Sequence, residues 1–256
     1  QPEEPIALSL AGVRGLGDLD GDLYPDLAEA IRRCDAEEVA TLAVTTTPRA
    51  FPRNLELTKG SAFVRVAIGL HPQLVSERGS EISIFEDLLP ETRYVGEVGL
   101  DASPRHYRSF DQQKMIFERV LRRCARAGDK IVSVHSVRAA KHVLDMVEAF
   151  LPPERGRIVL HWFSGSVSEA RRAVDLGCFF SVNERMFANS KGQALIRAIP
   201  EDKLLTETDG PFVEREGTPV SPGDVGPVLE ALGKVLSKTT EAVSRLVNSN
   251  LSRIVS

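Results

Sequence analysis

Residues 130–162 read KIVSVHSVRAAKHVLDMVEAFLPPERGRIVLHW, and the order of textures in this stretch decides the fold. Residues 130–135 form a short β-branched run that ends in an imidazole, His135. Residues 138–150 are amphipathic at helical spacing. Residues 157–162 are a second β-branched run, and it carries His161 and Trp162 at its end. A strand, a crossover helix and another strand make a βαβ unit with parallel strands. Both runs are apolar with little alternation, as expected of a parallel sheet buried on both faces.

The same alternation continues in both directions. Strand-like runs occupy 39–47, 63–70, 94–100, 178–182 and 203–208. Helical patterns occupy 25–34, 82–89, 111–127, 166–176 and 191–198, and two more, 224–236 and 241–253, close the chain. An eighth strand has one candidate, residues 6–13, followed by the glycine-rich Gly12-Val13-Arg14-Gly15-Leu16-Gly17. Those glycines lack the G-x-G-x-x-G spacing of a dinucleotide loop. Eight strands in 256 residues predict an α/β chain forming one (β/α)8 TIM barrel, residues 1–256. The first strand is atypical, because 1–22 does not match the pattern of the rest and glycine is poor strand material.

Composition removes other classes. The chain is 42% hydrophobic and 27% charged, ordinary for a globular protein. No apolar run approaches the roughly 20 residues of a membrane span. Glu3 and Glu4 stand where a secretory signal would be basic. Cys34, Cys124 and Cys178 are too dispersed for a disulfide framework or a metal knuckle, which fits a reducing cytoplasm. A net charge of −4 argues against gripping nucleic acid by bulk charge, but not against meeting phosphate through metal ions.

Groups that bind metal stand at the ends of successive strands: Glu97, His135, His161 and the Glu207-Thr208-Asp209 run. In a barrel these ends share one rim, where barrel enzymes keep their active sites. Two imidazoles and two carboxylates suit zinc, manganese or similar divalent ions, with magnesium held through the carboxylates. Each alone also reads as a hydrogen-bonded structural residue. Together they are correctly phased to one rim, and each is otherwise an unexplained polar group in an apolar strand.

The strings Gly69-Leu70-His71-Pro72, Gly96-Glu97-Val98-Gly99-Leu100-Asp101, Val134-His135-Ser136, Leu160-His161-Trp162-Phe163-Ser164-Gly165 and Glu207-Thr208-Asp209-Gly210-Pro211-Phe212 resemble, in order and spacing, the TatD-like metal-dependent deoxyribonucleases. Thr45-Thr46-Thr47-Pro48, Leu70-His71-Pro72-Gln73-Leu74 and His161-Trp162-Phe163-Ser164-Gly165 are most similar to the TatD-like component of the Qat anti-phage defence system. The resemblance implies a metal-dependent hydrolase barrel with one or two divalent ions (Mg²⁺, Mn²⁺ or Zn²⁺). Glu97 then corresponds to a bridging carboxylate, and His135 and His161 to ligands of the second metal. Asp209 corresponds to the acid that ligates the first metal and orients the attacking water. His71 resembles a rim histidine that meets phosphate, although a His before Pro72 also caps a strand end. Trp162 and Phe163 are placed either to stack on an unpaired base or to pack under the rim, and Arg105 to meet phosphate. DNA and other proteins of a defence complex are the implied partners, in the cytoplasm and without a membrane.

Two departures qualify this. The family opens on a His-x-His pair, whereas no histidine precedes His71 here. Ungapped alignment on Tyr24-Pro25-Asp26 puts Asp18 and Asp20 at the pair. They stand in as oxygen ligands, or the first site is lost or weakened, or the segment before about 22 is not the barrel's native start; of these the second is favoured, since acidic loops are usually only solvated. The family also carries an arginine two residues after its fifth-strand histidine. Here that residue is Val137 and Arg138 follows, turned by about 100° if helical. Three functions therefore compete: a DNase acting on single-stranded DNA or DNA ends, a degenerate barrel that binds nucleic acid or a partner, and a hydrolase of another substrate.

Overall fold

The computed structural model describes residues 8–13, 27–210 and 212–256. Eight parallel strands form the barrel: β1 (Leu8–Val13), β2 (Ala40–Thr45), β3 (Val64–Ala67), β4 (Tyr94–Gly99), β5 (Lys130–His135), β6 (Gly156–His161), β7 (Phe179–Val182) and β8 (Leu204–Thr206). β1, β2 and β3 pair in sequence order, as do β4 through β8. A bridge between Ile68 and Val95 joins the two sets, and β1 lies beside β8, closing the ring. The predicted strands are all present. β1 runs in unbroken register with β2, from Leu8 opposite Ala40 to Val13 opposite Thr45.

Helices form the outer layer: α1 (Leu27–Ala36), α2 (Phe51–Leu57), α3 (Val75–Arg78), α4 (Ile82–Leu88), α5 (Phe110–Ala127), α6 (Ala140–Phe150), α7 (Val167–Asp175), α8 (Ser190–Ala198), α9 (Gly226–Leu236) and α10 (Thr240–Val255). α2 is absent from the sequence reading; it is short and carries Pro52 in its first turn, which masks its periodicity. Phe51 at its start is nevertheless fully buried. α7 starts on a capping box, with the Ser166 hydroxyl accepting from the Glu169 amide and the Glu169 carboxylate accepting from the Ser166 amide. A two-strand hairpin, β9 (Glu214–Arg215) and β10 (Thr218–Pro219), lies between β8 and α9.

The largest apolar cluster fills the space between strands and helices, where Phe85, Phe117, Leu121, Val143 and Phe180 are fully buried. A second cluster, with Leu42, Ile131, Val159, Phe179 and Leu205, fills the barrel interior toward its base and is closed by Ile254 of α10. Cys124 and Cys178 belong to the larger cluster, as small core residues should. Burial pushes both thiols up to about 12.

Two features aim β4 at the rim. Its pairing with β5 jumps between Val95 and Val98, so Gly96 and Glu97 bulge out of the ladder. Gly69 permits that bulge: a Cβ there would lie 2.0 Å from the Thr45 carbonyl oxygen and 2.3 Å from the Glu97 nitrogen.

Candidate metal centre

Five of the strands deliver polar groups to one cavity. His71 follows β3, Glu97 lies in β4, His135 and His161 are the last residues of β5 and β6, and Asp209 follows β8. The cavity has a volume of about 270 Å³, and all five residues line it. Glu97 stands at its centre. Its Oε1 accepts from His135 Nδ1 at 2.9 Å and lies 3.4 Å from His71 Nε2 and 3.8 Å from His161 Nε2. His161 Nε2 also faces Asp209 Oδ1 at 3.3 Å.

Behind this front row stand groups that hold it. Asp101, buried, takes His135 Nε2 at 3.1 Å and the Gln73 side-chain amide at 2.8 Å on one oxygen, and the Ser103 amide at 2.8 Å on the other. Glu207, fully buried, accepts from His161 Nδ1 at 2.7 Å, from Asn183 Nδ2 at 2.7 Å and from the Ser181 hydroxyl. His71 Nδ1 instead accepts from the Gln73 backbone amide at 3.2 Å, so this ring does cap the turn that starts at Pro72.

The electrostatics follow from this crowding. Burial pushes the Glu97 carboxyl up, but the imidazoles of His161, His71 and His135 outweigh it and hold Glu97 well below the usual carboxylate range. Burial lowers His135, but its contacts with Asp101 and Glu97 raise it to about 9. His161 is likewise lowered by burial and raised well above the usual range by Glu207, Glu97 and Asp209. His71 goes the other way, because burial there outweighs Glu97. Burial pushes Glu207 up against the opposing pull of His161. Concentrated carboxylates and imidazoles that gain charge only through one another are the donor set a divalent cation would satisfy. His71, Glu97 and His135 each bring one ligand atom within 4.8 Å of the others, so the residues fit such an ion.

The expected rim residues divide. Glu97, His135, His161 and Asp209 converge, and His71 joins them in direct contact with Glu97. Trp162 lines the cavity with Leu74, Val137 and Phe212, in a left-handed backbone conformation (φ 38°) shared by Asp209 (φ 49°). Such conformations cluster at functional sites. Phe163 does not face the cavity; it is buried edge-on against Phe180, the packing alternative of the two that the sequence left open. Arg105 and Arg138 are exposed, and no lysine or arginine is among the described residues lining the cavity. Asp18 and Asp20 lie outside the described residues. The sequence reading missed Asp101 and the role of Glu207, although both stand in the quoted strings. A carboxylate inside an apolar run must be partnered or it is costly to bury, and that signal was available for Glu207.

Comparison with known proteins bears on the family and the fold. Residues 18–256 match the model of a family described as TatD related DNase. A Schizosaccharomyces pombe protein named Deoxyribonuclease Tat-D is 37% identical over 121 residues, 46% of this chain and 38% of that protein. Human Deoxyribonuclease TATDN3 is 26% identical over 255 residues, covering 93% of this chain and 90% of its own. Among solved structures, YJJV, a TATD homolog from Escherichia coli K12, superposes with a TM-score of 0.84 at 23% identity, covering 98% of both chains. The Escherichia coli phosphotriesterase homology protein superposes at 0.67 with 13% identity over 99% of this chain and 100% of its own. These two likenesses concern the barrel fold, while the match over 18–256 concerns descent: the chain belongs to the TatD-related DNase family.

Proposed function

We propose that this protein is a metal-dependent deoxyribonuclease that hydrolyses phosphodiester bonds in single-stranded DNA or DNA ends. The observation that carries this reading is the convergence of Glu97, His135, His161 and Asp209, with His71, in one cavity. Divalent ions, when bound, supply the Lewis acidity that lowers the pKa of water and offsets charge on the reacting phosphate. Glu97, facing imidazoles on several sides, would hold such ions together with His135 and His161. Asp209 orients the attacking water and accepts its proton. Trp162 offers a flat face to an unpaired base, and base–aromatic stacking is worth about 1–3 kcal/mol.

The test is cleavage of single-stranded DNA with Mg²⁺ or Mn²⁺, together with bound metal, for the native chain and for Asp209→Asn. The variant should lose at least about 100-fold in rate, as expected when a positioned general base is removed. Absence of both metal and cleavage above the variant's level would sink the enzyme reading. A second reading, a barrel with weakened catalysis that binds nucleic acid or a partner, is favoured by one feature. No histidine precedes His71, and ungapped alignment puts Asp18 and Asp20 where the family's first-strand histidine pair would fall. Restoring histidine at both positions should then raise metal occupancy. A place in an anti-phage defence complex is also proposed, on the sequence strings alone.

A further inference from the structure

We propose that the loop after β4 builds a second contact for single-stranded DNA, outside the metal cavity. Tyr107, stacked on Phe110, is a platform for a base flanking the scissile phosphate, and Arg105, Arg108 and Arg138 take up the neighbouring phosphates. The proposal rests on the single-stranded-DNA reading above and extends it to the part of the strand that the cavity cannot hold.

The cavity, about 270 Å³, is at the small end of the roughly 300–1,000 Å³ of ligand pockets, so it takes the reacting phosphate and little more of the strand. Flanking nucleotides must cross the rim. α5 follows β4 and α6 follows β5, so both helices begin on the rim that carries Glu97 and His135. Tyr107 stands in the turn Tyr107–Ser109 at the start of α5. Its 62% exposure leaves a large aromatic surface open to solvent. Its ring lies nearly parallel to that of Phe110, with centroids 5.5 Å and planes 10° apart. Phe110 is in turn met edge-on by His142 of α6, at 5.3 Å. A flat ring already held against a second ring loses little freedom when a base stacks on it.

The platform is tied to the metal-facing groups. Gln113, fully buried, accepts from the Asp101 backbone amide at 2.8 Å through Oε1. Through Nε2 it donates to the His106 carbonyl and the Ser109 hydroxyl, both at 3.1 Å. One side-chain amide therefore spans from the residue behind His135 to the turn that carries Tyr107. The Ala102 amide also donates, at 2.9 Å, to the carbonyl of Val137, which lines the cavity. The charge here suits a phosphate backbone. Arg105, Arg108 and Arg138 are exposed, and none meets a carboxylate among the described residues. Arg138 is held at φ 53°, a costly backbone conformation for a residue other than glycine. The acids Asp111 of α5 and Asp145 of α6 are already met by Lys114 at 2.7 Å and Lys141 at 2.8 Å. The three arginines thus supply beside the cavity the cations that its described wall lacks.

The test is fluorescence anisotropy of a labelled oligothymidylate with the full chain and Ca²⁺, over a range of salt concentrations. Tyr107→Ala should weaken binding about 5- to 150-fold, the loss of one base–aromatic stack. Tyr107→Phe keeps the ring and should stay within about threefold of the native chain. Arg105→Gln, Arg108→Gln and Arg138→Gln combined should reduce the slope of log Kd against log salt by about 2, since each phosphate contact on a single strand contributes about 0.7. Thermal melts establish that each variant is folded, and cleavage with Mn²⁺ is recorded separately. Unchanged affinity in Tyr107→Ala, equal losses in Tyr107→Ala and Tyr107→Phe, or an unchanged salt slope in the triple variant would overturn the subsite, while cleavage by the native chain would leave the nuclease reading standing. Binding that depends on Tyr107 without any cleavage would sink the nuclease reading and keep the subsite. A native chain that binds no single-stranded DNA would overturn both.

Discussion

His135 shows at the scale of one residue how the site couples to pH. Its folded value, about 9, lies above the ordinary histidine value because Asp101 and Glu97 outweigh burial. A group raised on folding adds stability that is complete below its unfolded value, about 6.5, and is lost as pH rises through its folded value. Metal-free protein should therefore melt at progressively lower temperature between about pH 6.5 and pH 9. The same pairing depresses Asp101, whose contribution is lost instead as pH falls below the ordinary aspartate value. Melting curves recorded with a chelator check this, and a melting temperature that climbs steadily across that alkaline window would contradict it. Single residues were also where the sequence was least legible. His71 was placed at the rim by resemblance, with a cap before Pro72 as the alternative; both hold, but the capping partner, the Gln73 N–H, is supplied only by the folded turn.

Elements were far more legible than the contacts between them. Parallel strands buried on both faces must be apolar nearly throughout, so β2 to β8 announce themselves as runs, and the amphipathic helices between them follow. α2 escaped because it is short and carries Pro52 in its first turn. The arginine-rich faces of α5 and α7 proved to be what charge runs usually are, ion-paired surfaces: Arg119 and Arg123 meet Glu86, Arg122 meets Glu118, and Arg172 meets Asp145 and Glu148. The docking of α10 on β8 cannot be read from periodicity alone. In the fold, the buried Asn250 amide donates to the carbonyls of Glu201 and Leu204, both at 2.8 Å. Asn250→Ala should cost about 1–3 kcal/mol by leaving those carbonyls unmet. Denaturant unfolding measures that loss. Zn²⁺ affinity should stay unchanged, because the contact lies toward the opposite end of β8 from Asp209.

For the whole molecule, the barrel turns distance in sequence into nearness, since groups from residue 71 to residue 209 meet only because strand ends share a rim. The sequence could place those groups on one rim without placing their partners, because phase along a strand is local and hydrogen bonding across the ring is not. The described wall of the cavity carries carboxylates and imidazoles but no lysine or arginine. Without metal, a phosphate would enter a cavity whose described wall carries the carboxylates Glu97 and Asp209, with histidines as its only cationic groups among the described residues. Divalent ions held there would make the cavity attractive to the same phosphate. Single-stranded DNA should therefore bind far more weakly in chelator than with a non-supporting ion such as Ca²⁺, as fluorescence anisotropy can measure; equal affinity in both would refute this. With no lysine or arginine on its described wall, a cavity acting on DNA would take metal first and nucleic acid second, so the supply of ions would license engagement before any bond is broken.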